Sequence, residues 1–212
     1  MSDVLTMNWN LENSFLCDEI RENFICGTDE AGRGPLAGDV YAAAVILPHG
    51  IEIDGLFDSK LLTEKRRENL YDIIIEKAVS YSIQSASIEE IQEINILNAS
   101  LLAMRRAVDS LTLKPDIVLI DGNIVRGFAG LNTKSIIRGD TLSPNIAAAS
   151  ILAKVTRDRY MKELDEIYPE YNFKQNKGYP TKEHASSIRK YGASPVHRIH
   201  FLKKILGGVD DW

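Results

Sequence analysis

Gly27-Thr28-Asp29-Glu30-Ala31-Gly32-Arg33-Gly34-Pro35 is the stretch on which the fold turns. Apolar Phe24, Ile25 and Cys26 precede it, and a second apolar run, Val40 to Leu47, follows. Apolar runs on either side of a Gly/Pro-rich segment predict strand, sharp turn, strand. A strand that ends in two acids delivers carboxylates to a sheet edge, where oxygen donors suit hard cations. Adjacent glycines let backbone N–H groups come close to a phosphate or a sugar. Taken alone, Asp, Gly and Pro would be accounted for by a polar hairpin turn. The rest of the chain decides between the two.

Working outward, apolar Leu70, Ile73, Ile74 and Ala78 recur at helical spacing between Thr63 and Val79. Tyr81 to Ile88 alternates as a strand does. Ile91, Ile94, Leu97, Leu101, Leu102, Met104 and Val108 mark a longer helix, closed by Pro115. Asp116 to Ile120 and Lys134 to Arg138 are short apolar runs, expected to be buried strands. Pro144 opens a long helix through Ala147, Ile151, Val155 and Tyr160, and Thr181 caps another to about Tyr191. A short helix is expected around Glu12 to Glu22. Early strands joined compactly, then strands separated by helices, predict one α/β domain with a mixed sheet. The domain takes in residues 1–212, with residues 1–23 as a leader.

The acids fall where the strands end. Asp29 and Glu30 close the first, Asp121 a buried one, and Asp140 the next, the last two each beside a glycine. Such carboxylates suggest convergence at one sheet edge, where unbalanced they would repel strongly. Two divalent cations would balance four formal charges and can clamp the attacking and leaving oxygens of a phosphoryl displacement. Mg²⁺ suits a site with few carboxylates and a substrate phosphate. An Asp-Gly turn and a helix-start acid would account for Asp121 and Asp140 singly, but less well together with Asp29-Glu30.

Composition bounds the rest. Hydrophobic residues at 44% and charged ones at 26% are ordinary for a soluble globular chain. No apolar run approaches the ~20 residues of a membrane span. No basic-then-apolar signal segment opens the chain, so a cytoplasmic location is expected. The two cysteines, Cys17 and Cys26, lack metal-site spacing. Net charge is −5, yet residues 171–206 carry eight cations against the single acid Glu183. A basic segment on an acidic body suits a polyanion held on one face, and a solvated basic helix would also explain it.

The block Gly27 to Pro35, with Asp58-Ser59-Lys60, Asp121-Gly122, Gly139-Asp140, Ile146 to Val155, Gly178-Tyr179-Pro180-Thr181 with His184, and Ser194 to Arg198, resembles the bacterial ribonuclease HII family. The blocks come in the family's order and span about Cys26 to Phe201. The resemblance implies an RNase H-like fold, a mixed five-stranded sheet flanked by helices with a helical C-terminal segment. It implies hydrolysis of RNA paired to DNA, including single ribonucleotides in duplex DNA. Asp29, Glu30, Asp121 and Asp140 match the family's metal-binding acids, for Mg²⁺ or Mn²⁺. Gly32, Arg33 and Gly34 match the turn whose backbone reads the ribose 2′-OH, and Tyr179 the aromatic that packs on the sugar. Two positions depart from the pattern: Asp39 stands where proline is expected, and His200 where a polar residue is expected. Asp39 is taken as a residue behind the site or on the surface. The short leader is expected to leave no room for the extra N-terminal domain of the related ribonuclease HIII branch.

Other residues are more ambiguous. Lys60 suits a phosphate contact or a plain loop. Lys154 and Arg157 share a helix face aimed at a backbone or at solvent. Arg198, with His197, contacts substrate or braces the C-terminal helix. His184 is not expected to ligate metal, since His favours zinc over Mg²⁺. The expected partners are an RNA–DNA hybrid and ribonucleotide-containing duplex DNA, with no membrane, bound by a monomer. A hydrolase of small phosphate esters would leave the basic segment and Tyr179 idle, and a hybrid-binding module would need no converging acids. Mg²⁺ and a duplex carrying one ribonucleotide would separate the three.

Overall fold

The computed structural model describes residues 7–16, 24–56, 59 and 62–206. The first long apolar run is β1 (Ile25–Ala31), buried over its first five residues. It is joined through the Gly-rich turn to β2 (Val40–Ile46), antiparallel to it, and β2 pairs antiparallel with β3 (Ser80–Ala86). β4 (Ile117–Asp121) runs parallel to β1 on its other side, and β5 (Thr133–Ile136) parallel to β4. The sheet is mixed and five-stranded, in the order β3-β2-β1-β4-β5, as expected.

The helices are α1 (Asn10–Asn13), α2 (Glu64–Lys77), α3 (Ile88–Asp109), α4 (Pro144–Ile167), α5 (Phe173–Asn176), α6 (Lys182–Tyr191) and α7 (Ile199–Leu206). Each of the four longest starts on a side chain that accepts an otherwise orphaned N–H. Thr63 caps α2, Ser143 caps α4 ahead of Pro144, and Thr181 caps α6. Ser87 and Glu90 form a reciprocal capping box on α3. Side chains alternate across β2 and sort the core into two layers. Val40, Ala42, Ala44 and Ile46 face α3, through Ala99, Ala103, Met104 and Ala107. Ala43 and Val45 face α2 and α4, through Leu70, Ile74, Ala148, Ile151 and Leu152. Small residues on both sides bring α4 close to the sheet. Gly27 takes this furthest: a Cβ there would overlap the backbone of Asn145 and Ile146 at the start of α4.

Three expectations are corrected. The run Lys134 to Arg138 is not a buried strand: β5 is a half-exposed edge strand paired on one side only. Asp140 does not end it but lies in a 3₁₀ turn, Gly139–Thr141, that leads into α4. In the leader, the helix within the described residues is Asn10–Asn13, and residues 17–22 of the expected span lie outside them. α3 is also interrupted at Asn95 (φ 66°), whose Oδ1 accepts the N–H groups of Leu97 and Asn98 and restarts the helix. Among the described residues no helix is long and apolar enough to cross a membrane.

Candidate active site

The register builds the acid cluster. Thr28 pairs with Ile120 across the parallel β1–β4 ladder, so Asp29 and Asp121 stand level one step beyond. Glu30 follows Asp29 on the same strand and projects to the opposite face of the sheet. The β1–β4 pairing stops there and β4 ends at Asp121, and Asp29 and Glu30 both line one cavity of about 220 Å³. Its walls include Asp29, Glu30, Asp121, the Gly32-Arg33-Gly34 turn, Lys154 and Tyr179.

The cluster is electrostatically tense. Burial, then the charges of Glu30 and Asp121, push the Asp29 carboxyl well above the ordinary range. Hydrogen bonds from Ser150 and from the Glu30 N–H (2.7 Å) oppose that shift without cancelling it. Burial also raises Glu30, against the pull of Arg33, whose Nη1 lies 3.2 Å from Oε1. Asp121 Oδ1 accepts the N–H of Gly139 at 2.7 Å, which seats the turn carrying Asp140 beside the cluster. Asp140 is itself buried, 4% exposed, but is not in the wall of the cavity; the other three acids are. Among the described residues no three acid, histidine or cysteine side chains close round a single point as a preformed cage. Like charge holds neighbouring carboxylates apart. A hard cation that keeps water and takes a substrate phosphate needs only a few of them. Buried, mutually repelling oxygen donors therefore fit Mg²⁺ or Mn²⁺ as partial ligands.

The Gly-rich turn is held from beneath by two buried arginines. Arg157, expected on a helix face towards backbone or solvent, is 1% exposed. It donates to the carbonyls of Ala37, Asp39 and Lys177. Arg198, put forward as a substrate contact, is fully buried and donates to the carbonyls of Arg33, Pro35 and Gly38. It therefore braces the turn and does not face the cavity. Gly32 has φ +110°, and a Cβ there would strike the Arg157 guanidinium, so the turn and its support are packed as one unit. Asp39 likewise stands outside the cavity, with Oδ1 accepting the N–H of Ile88 at the start of α3.

Tyr179 is 41% exposed and its ring lies against Gly34, so it is not a core tyrosine. Lys154 Nζ is 6.0 Å from the ring centroid and 2.6 Å from Asp158 Oδ1. Lys60 lies outside the described residues. Ser59 and Ser150, which lie in the motif blocks but were not put forward as site residues, also line the cavity, with their hydroxyls 2.9 Å apart. The available signal was a serine within the otherwise apolar, Ala-rich stretch Ile146 to Ala153.

His184 and His197 are both buried behind the Tyr179 loop, with their Nε2 atoms 3.1 Å apart. Burial, then the neighbouring His184, lowers His197 to about 4; burial lowers His184 as well. The unfolded chain therefore binds more protons below about pH 6.5, and stability from the neutral pair is lost as pH falls towards 4. We expect about 2 kcal/mol to be lost from this source between pH 7 and pH 4.5. Urea midpoints of the protein and of His197→Asn across that window check it; parallel profiles would refute it.

The family model described as Ribonuclease HII matches residues 26–204. A ribonuclease HII of Caldicellulosiruptor bescii is 51% identical over 199 residues, covering 92% of this chain and 96% of the relative. One from a Marinomonas strain is 53% identical over 188 residues, covering 88% and 94%. The crystal structure of the ribonuclease H2 from Pyrococcus horikoshii superimposes with a TM-score of 0.69 at 26% identity, covering 85% and 96%. With its mixed sheet, its strand-end acids and this match along most of its length, the chain belongs to the ribonuclease HII family, metal-dependent endoribonucleases that hydrolyse the RNA strand of RNA–DNA hybrids.

Proposed function

We propose that the chain also cuts duplex DNA at a single embedded ribonucleotide, on its 5′ side, leaving a 3′-hydroxyl and a 5′-phosphate. Such a cut would start the removal of misincorporated ribonucleotides and of RNA primers. The observation that carries this reading is one cavity lined by Asp29, Glu30 and Asp121, by the Gly32-Arg33-Gly34 turn and by Tyr179.

Asp29, Glu30, Asp121 and Asp140 are the residues that would hold Mg²⁺ or Mn²⁺, two ions being the number that balances their formal charge. When bound, the ions neutralise charge at the scissile phosphate and polarise the attacking water and leaving oxygen. The chain's own residues do the selecting. The Gly32–Gly34 backbone, packed on Arg157 at Gly32 and hydrogen-bonded by Arg198 at the Arg33 carbonyl, offers rigid polar groups to the 2′-OH. A site built round that hydroxyl leaves its polar groups unpaired against deoxyribose and can discriminate by ~10⁴ or more. Tyr179 offers a flat apolar face to the sugar at the junction, and Lys154 a cation for the backbone.

The test is single-turnover cleavage, with Mg²⁺, of a duplex carrying one ribonucleotide, with both product ends mapped. Tyr179→Ala should slow it by ~10-fold, about 1.4 kcal/mol, and Tyr179→Phe should keep most activity because the ring face matters more than the hydroxyl. Melting temperature should barely move, since the ring is half exposed. No cut beside the ribonucleotide, or a large loss of stability with normal cleavage by Tyr179→Ala, would overturn the reading.

A further inference from the structure

We propose that His184 is a positioning residue for Tyr179, the last link of a one-way hydrogen-bond relay that runs from the Ser194 amide through both buried histidines to the Tyr179 carbonyl. The proposal rests on the reading that Tyr179 meets the substrate.

The polarity follows from the two ends. The Ser194 N–H donates to His197 Nδ1 at 2.9 Å, and an amide nitrogen can only donate. The Ser194 hydroxyl, 2.7 Å from the same nitrogen, can turn its proton the same way. His197 Nδ1 is therefore the unprotonated nitrogen, and the proton of the neutral ring sits on Nε2. That Nε2–H points at His184 Nε2, 3.1 Å away, which must accept. His184 then carries its proton on Nδ1, 2.9 Å from the Tyr179 carbonyl oxygen, an atom that can only accept. Every donor meets an acceptor in this arrangement alone. A second proton on either ring would set N–H against N–H.

Burial makes the arrangement exclusive. His184 is 0% and His197 1% exposed, so solvent cannot supply substitute partners. Phe173 and Tyr171 pack edge-on against the rings and fix their planes. The relay adds to other ties on the loop. The Tyr179 N–H donates to the Asn176 carbonyl, and the Gly178 carbonyl accepts the Leu36 N–H from the chain just after the Gly-rich turn. With its backbone pinned on both sides, the Tyr179 ring is aimed at Gly34 although little of the side chain is enclosed. His184 itself does not line the cavity and acts only through that loop.

The tautomers are read directly by long-range ¹H–¹⁵N spectra of the imidazoles at pH 7.5. The expected result is Nδ1–H for His184 and Nε2–H for His197; the opposite tautomer at either ring overturns the relay. The functional half is tested by single-turnover cleavage of the one-ribonucleotide duplex. His184→Leu should slow it roughly 10-fold, and by less than about 2-fold in the Tyr179→Ala background, because both changes remove the same aimed ring. His184→Asn, whose amide can replace the Nδ1–H donor, should recover most of the rate. Equal losses in both backgrounds would make His184 a general support of the fold and overturn the proposal. If His184→Leu does not fold, the tautomers and the asparagine variant still decide. Unchanged cleavage by Tyr179→Ala would instead sink the reading of Tyr179, and with it the functional half here, while the tautomers report the relay independently.

Discussion

Asp29→Asn should lower kcat by about 10³-fold or more, equivalent to about 4 kcal/mol of barrier, and at the same time make the metal-free protein harder to melt. The two effects share one cause. Burial and the charges of Glu30 and Asp121 raise the Asp29 carboxyl above its ordinary value of 3.8. A group raised on folding contributes stability only while protonated, and that contribution is lost as pH rises through the folded value. Above that value the ionised Asp29 is a net cost to the fold, which the isosteric amide removes. The melting temperature without divalent ions should rise by about 2–4 °C for each kcal/mol of repulsion relieved. Calorimetry with and without Mg²⁺, beside a cleavage assay, measures both. Normal turnover, or a lower melting temperature in chelator, would contradict the assignment.

Gly27→Ala should be among the most destabilising single-methyl changes in the chain. Its Cβ would meet the backbone of Asn145 and Ile146, which no side-chain rotation can clear. Either α4 lifts from β1 or the strand bends, at a cost of about 3 kcal/mol, seen as a melting temperature lower by about 6–12 °C. The start of α4 also carries the turn with Asp140, so any surviving protein should cleave poorly. A shift under about 2 °C would show that this joint is looser than the structure has it.

These two positions mark what the sequence disclosed and what it hid. β1, β2 and β4 are apolar runs closed by turn residues, and the acids near the ends of β1 and β4 stand out because buried strands seldom end in charge. β5 pairs on one side only and buries little, so its pattern did not mark its ends, and Asp140 was given to a strand. Asn95 breaks α3 without disturbing the apolar spacing on either side, and only its backbone reveals the break. Arg157 and Arg198 were invisible as buried groups because their partners are carbonyls, which every residue has. A carboxylate partner leaves a trace in sequence; a turn of main chain folded over a guanidinium does not. Ser150 was hidden for a related reason, being one hydroxyl in an apolar stretch whose meaning depends on what lies across from it.

The pairing of β1 with β4 has a consequence for the order in which a newly made chain becomes competent. β1 and β2 are joined by a short turn and β3 follows after α2, so the three can pair before β4 is made. β4 lies some ninety residues from its partner β1, and α4, which must cover the other face, is made later still. Contacts at such separation form slowly. Asp29 and Glu30 thus wait for Asp121 and then for the turn that opens α4, and a half-synthesised chain presents two acids where the finished one gathers four around one sheet edge. The acid-lined edge is in this way completed only once the turn that opens α4 has been made.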